Sequence, residues 1–321
     1  MARPAFLDRL VPDRSVVLRR LAVAAVVAQA GIAVTGSIVR VTGSGLGCPT
    51  WPQCSPGSLV PTPHPAVAAL HQWVEFGNRL LSVAVVLVTA LCFLAALGRP
   101  RRPRLARLAL VQPLGVVVQA VIGGFTVLAG LVWWSVMPHF LASIVLVWLA
   151  AQLVDEATAG GAVSKTVPRP VRLLTAVSAA VLFALLVAGT LVTAAGPHAG
   201  DAATPRLDIG VPALAQLHAD LLFGYLGLLV GLGFALWAVG APRGLKRRYG
   251  ALVVVVLLQG ALGGIQYALG VPEVLVALHV LGAALTTAAA GLVWAGLSRR
   301  EPAAAPVSSP APRPVAEPAG S

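Results

Sequence analysis

Long apolar stretches alternate with short polar ones along almost the whole chain. Eight of them, at about 17–40, 66–97, 105–130, 133–154, 171–195, 212–240, 249–270 and 272–298, run for about 20 residues or more. A helix rises roughly 1.5 Å per residue, so each run can cross a hydrocarbon core of roughly 30 Å. Lipid offers the backbone no hydrogen-bond partners, so such a run must satisfy itself as a helix. The pattern predicts an all-α integral membrane protein with eight transmembrane helices. The first run has no small-residue cleavage site and reads as a retained helix, not a signal peptide.

The pattern also repeats. QAVIGGFTVLAG at 119–130 resembles QGALGGIQYALG at 259–270, and His139 falls on His279 at the same shift of 140. TGSIVR at 35–40 resembles AGTLVT at 188–193 at a shift of 153, so the first outer loop is about 13 residues longer than its partner. Four spans per half is an even number, so both halves enter from the same side as parallel repeats. Two tandem, pseudo-symmetric four-helix bundles are expected, at 17–154 and 171–298. A cytoplasmic N-terminal segment (1–16), a cytoplasmic linker (155–170) and a disordered cytoplasmic tail (299–321) complete the division.

Composition agrees: 58% of residues are hydrophobic and 11% charged, too apolar for a soluble domain of this size. The net charge of +12 changes meaning once it is mapped. Of 23 Lys and Arg, 20 lie in the N-terminal segment, the loops after even-numbered spans and the C-terminal end; only Arg40, Arg79 and Arg206 lie elsewhere. This is the positive-inside pattern, and it puts both termini in the cytoplasm of a multi-pass protein of the cell (plasma) membrane. No contiguous basic patch of the kind that binds nucleic acid is present.

Against this background the polar residues inside spans stand out. His71, His139, His218 and His279 all fall near the outer ends of even-numbered spans. One membrane histidine is commonly helix glue. Four in one layer, paired by an internal duplication, form natural axial ligands for haem iron. Zinc fits less well, because neither Cys nor carboxylate accompanies the second pair, and a proton relay would want more carboxylates. Adding 140 pairs His279 with His139, but it pairs His218 with Asn78. The nearest histidine, His71, lies seven residues earlier on the same helical face. Glu75 sits one turn from either, and Arg79 at i+4 can form an ion pair with it. In the outer loop GSGLGCPTWPQCS, Cys48 and Cys54 lie on the oxidising side, where a disulfide is expected and a free redox pair is the alternative. Cys92 reads as a packing residue.

Paired histidines in even spans, the TGSGLGCPTWPQC loop, Glu-x-x-Asn-Arg at 75–79 and GPHAGD at 196–201 together resemble haem A synthase, in its actinobacterial form. The resemblance covers residues 20–298. It implies a membrane oxidoreductase that oxidises one methyl of haem O to a formyl group, giving haem A for cytochrome oxidase. It implies haem b as cofactor in the second half, on His218 and His279, and substrate haem in the first half facing His139. Glu75 is then essential, with Arg79 and Asn78 beside it, and Cys48 and Cys54 match the family's outer cysteine pair. Implied partners are haem O, haem O synthase, cytochrome oxidase assembly factors and membrane lipid, with a homo-oligomer as a further expectation. Many members have His where this chain has Asn78. Depth favours His71 as the second substrate-haem ligand, and that assignment is adopted. Repeat register favours position 78, with the iron five-coordinate on His139. A di-haem electron-transfer cytochrome and a haem transporter are the competing readings. The Glu75 constellation occurs in one half only, which favours an enzyme over a symmetric electron wire.

Overall fold

The computed structural model describes residues 14–63, 67–98, 102–158 and 163–300. His64, most of the N-terminal segment and nearly all of the tail lie outside the described residues. Among the described residues eight helices run in order: α1 (Arg14–Val41), α2 (Ala69–Leu97), α3 (Pro103–Leu128), α4 (Trp133–Thr158), α5 (Arg169–Ala195), α6 (Val211–Ala238), α7 (Arg243–Ala268) and α8 (Glu273–Gly296). All eight are long and apolar enough to cross a membrane. The protein is an all-helical, multi-pass membrane protein. Among the described residues the strands form one two-stranded antiparallel ribbon, β1 (Val163–Lys165) with β2 (Ser298–Arg300), where the linker meets the end of α8.

Helix ends depart from the apolar runs for identifiable reasons. Helix α7 starts at Arg243, six residues before its apolar run, because only Pro242 stops the helix. Helix α4 continues to Thr158, carrying Asp155 and Glu156 past the apolar run. Those acids meet nearby cations: Arg248 reaches Asp155 at 2.5 Å, and Arg102 reaches Glu156 at 3.5 Å. The polar ends are therefore ion-paired helix, not loop.

Helices α1 to α4 form a closed ring, with α1 on α2, α2 on α3, α3 on α4 and α4 back on α1. In the second half α5 packs along α6 and α7 along α8, but α6 touches α7 and α5 touches α8 over short stretches only. Helix α8 also lies along α1 and α4. A Cβ on Gly291 would stand 3.1 Å from the Trp148 carbonyl oxygen, so α8 and α4 approach closely there.

The duplication is visible in the backbone. The α3–α4 and α7–α8 turns place Gly130 and Gly270 at φ 71° and 75°, followed by Leu131 and Val271 at φ 58° and 57°. Gly is well suited to the first position, whereas Leu131 and Val271 take the left-handed region against side-chain preference. Buried positions on α2 and α6 also coincide at the shift of 140. Val85, Thr89, Cys92 and Ala96 on α2 correspond to Tyr225, Leu229, Leu232 and Leu236 on α6, and all are at most 4% exposed. The second-half residue is larger at every position.

Candidate functional site

His139 and His279 are held alike. Each is the seventh residue of its helix, α4 or α8. Gln119 on α3 and Gln259 on α7 donate Nε2 to the backbone carbonyls of His139 and His279, each at 2.8 Å. Gly123 and Gly263 face the imidazoles: a Cβ there would stand 3.2 Å and 2.9 Å from Cε1 of the respective ring. The paired glycines therefore make room for the rings. Both Nδ1 atoms are buried without a protein hydrogen-bond partner.

The other two positions differ. On α6, the His218 ring lies against Gly189 of α5, and its Nδ1 bonds the Leu185 carbonyl at 3.0 Å. That contact fixes the ring and leaves Nε2 for a ligand. The rings of His218 and His279 stand 6.4 Å apart between centres. A metal taking one nitrogen from each imidazole at roughly 2 Å per bond needs ring centres about 6 Å apart. His218 and His279 are thus the residues that would hold a haem iron, and their spacing suits one. Among the described residues no group of three His, Cys, Asp or Glu side chains gathers as a zinc site would require.

In the first half, Gly36 and Ile32 occupy the places of Gly189 and Leu185. Asn78 faces the same surface, with Oδ1 2.7 Å from the Thr35 hydroxyl, and that hydroxyl also lies 3.2 Å from the Ile32 carbonyl. Thr35 thus holds Asn78 and sets its hydroxyl beside the carbonyl that a histidine would have used. Beside the shorter Asn78, a Cβ on Gly36 would meet no atom within 4 Å. The asymmetry is a coupled pair: Thr35 with Asn78 in one half, Ala188 with His218 in the other. The sequence carried this signal in TGSIVR against AGTLVT, but only the fold brings Thr35 to Asn78.

His71 lies elsewhere. It is the third residue of α2, because the helix starts at Ala69 and not at the head of the apolar run. Its Nδ1 stands 2.9 Å from the Ser44 hydroxyl in the outer loop. It is therefore shallower than the layer formed by the other three histidines.

Glu75 is buried at 5% exposure and anchors the long outer loop. Its Oε2 accepts from the Cys48 N–H at 2.6 Å, and its Oε1 accepts from Arg79 Nη2 at 2.5 Å and Nε at 3.2 Å. Arg79 also donates to the carbonyls of Cys48 (2.8 Å), Thr50 (2.9 Å) and Gln53 (3.0 Å). Every bond from this guanidinium goes to Glu75 or to the loop. Such charge-assisted bonds are among the stronger ones a protein makes. Cys48 and Cys54 are joined as a disulfide, so the pinned segment is closed on itself. The second half has Ala215 and Ala219 where the first has Glu75 and Arg79.

Trp51, in the same closed segment, was not anticipated from the sequence. Its ring lies where a Cβ on Gly124 would be, next to the Gly123 that faces His139. At the corresponding Gly264 a Cβ would meet nothing within 4 Å. The long loop therefore covers the first half alone.

The family profile COX15-CtaA, described as cytochrome oxidase assembly protein, matches residues 19–207. The chain is 34% identical over 68 residues to the Heme A synthase of Geobacillus kaustophilus (strain HTA426), a match covering 21% of this chain and 20% of that one. It is 36% identical over 53 residues to the Heme A synthase of Geobacillus thermodenitrificans, covering 16% and 15%. The matched segments thus span about a fifth of each synthase or less. The profile runs over more than half of the chain and through both Glu75 and His139, and the chain belongs to the COX15-CtaA family of cytochrome oxidase assembly proteins.

Proposed function

We propose that the protein is a haem A synthase, a membrane oxidoreductase that converts one methyl group of haem O to a formyl group. The observation that carries this reading is the unequal duplication. One half presents two histidines at iron-bridging separation, and the other presents one histidine, a buried carboxylate and a loop clamped over it. The first is suited to holding a haem, the second to working on one and releasing it.

In this reading haem b is the resident cofactor on His218 and His279, where it supplies one-electron redox capacity. Leu185 orients His218 through Nδ1. The substrate haem binds in the first half with His139 toward its iron. Of the two candidates for the opposite face, we favour position 78. Asn78 occupies the register of His218, whereas His71 is two turns further out and engaged with Ser44. Asn78 is a poor iron ligand, so the substrate iron keeps one protein ligand and is released more readily. Glu75, one turn from Asn78, takes up a proton lost from the methyl or orients water beside it. Arg79 and the Cys48 N–H hold that carboxylate in place, which is how a positioned base gains its effect. Haem O synthase as supplier and oxidase assembly factors as recipients follow from the same reading.

Expression beside a haem O source, in cells with no other haem A synthase, tests this directly. Extracted haem analysed by mass should include haem A. Haem O alone would rule the activity out.

A further inference from the structure

The two halves differ in a second place, between their first two helices. In the first half an apolar crevice of about 200 Å³ lies between α1 and α2, lined by Ala28, Gly31, Ile32 and Thr35 on one side and Leu81 and Val85 on the other. Gly31 and Leu81 are exposed and Val85 is buried, so the crevice opens toward lipid and has a closed floor. Thr35 forms its outer end and bonds Asn78 at 2.7 Å, so the crevice ends one hydrogen bond from Asn78 of the proposed substrate-haem site.

The second half has bulk at three of the same registers, although Thr35 and Ala84 give way there to Ala188 and Gly224. Val181 takes the place of Ala28, Ala184 that of Gly31, and Tyr225 that of Val85. Tyr225 is 1% exposed and belongs to one core cluster with Leu182, Leu185 and Leu229, against which Val181 packs. Around Tyr225 the half proposed to hold haem b, which has no isoprenoid tail, is packed, whereas the half proposed to hold haem O, which carries one, has a crevice.

We infer that the α1–α2 crevice is the subsite for the isoprenoid tail of the substrate haem. This rests on the reading of the first half as the haem O site. An apolar cavity of about 150 Å³ is enough for a benzene-sized ligand. The crevice therefore takes a branched hydrocarbon segment of somewhat greater bulk, with the rest of the tail running out between the helices into lipid. Both tail and crevice are apolar and lipid competes for the same contacts, so selectivity comes from close packing against fixed walls. The subsite gives the enzyme a way to tell haem O from haem B, which the iron ligands cannot do.

The test uses the holoprotein, with its resident haem b, in detergent micelles. Haem O and haem B are titrated separately and followed by absorbance. Two variants fill the crevice. Val85→Tyr copies the second half, and Gly31→Leu adds a side chain where a Cβ meets no atom within 4 Å. An unchanged resident haem spectrum shows that each variant is folded. Haem O affinity should fall about tenfold or more while haem B affinity changes less than about twofold. Equal losses for both haems, or no loss for haem O, would overturn the subsite and leave the crevice to a lipid chain. Failure of the unmodified holoprotein to bind either added haem would instead overturn the first-half haem site itself.

Discussion

Replacing Arg79 with Ala should be more damaging than replacing Arg79 and Glu75 together. The single change leaves Glu75 buried at 5% exposure with only backbone N–H groups of the loop, Cys48 and Gly47, as partners. It also removes the donors to three loop carbonyls. Breaking a buried pair on one side costs roughly 3–5 kcal/mol. The Arg79 side chain keeps 21% exposure, which lets water reach the site and puts the expected loss near the lower end, about 3 kcal/mol. The double change to Ala copies Ala215 and Ala219 of the second half and strands no charge. It should recover about 1–2 kcal/mol relative to Arg79→Ala alone, giving a coupling energy of that size or greater. Denaturant unfolding in mixed micelles of the wild type, both single variants and the double variant closes the cycle. Additive single effects would show that the ion pair does not hold the loop and that the carboxylate is positioned by something else.

Glu75→Gln should retain the fold and the resident haem while haem A formation falls about 100-fold or more, read by haem extraction and mass. The paired change Thr35→Ala with Asn78→His should give the first half the second half's ligand set, and a second low-spin haem signal should appear in the absorption spectrum. Asn78→His alone should do so less completely, because the Thr35 hydroxyl still stands beside the Ile32 carbonyl. Cys48→Ser with Cys54→Ser should lower stability by about 1–3 kcal/mol and speed proteolysis within the outer loop, measured by mass mapping of the cleavage products.

The eight spans were legible because lipid imposes one length and one composition on every crossing. Their ends were not, because hydropathy stops at the first charge while a helix stops only where its backbone is capped or broken. Arg248 and Asp155 illustrate this: both look like loop residues, and both are helical and bonded to each other across α7 and α4. The even-span histidines and Glu75 could be read as candidates from rarity and from the shift of 140. Asn78 could be identified as the exception, but its compensation could not, because Thr35 lies 43 residues away on another helix. Trp51 was hidden for a different reason. An aromatic in a Gly- and Pro-rich loop gives no hint of which helix it will meet, and the space that receives it exists only because Gly124 lacks a side chain.

The central claim is that the duplicated halves have divided the work, one holding a haem and the other modifying one. The haem content of purified His218→Ala and His139→Ala, each produced beside a haem O source, tests it most directly. His218→Ala should lose the low-spin haem b signal. His139→Ala should keep that signal and yield no haem A. If His139→Ala loses haem b, or still makes haem A, the division of labour assigned here is wrong.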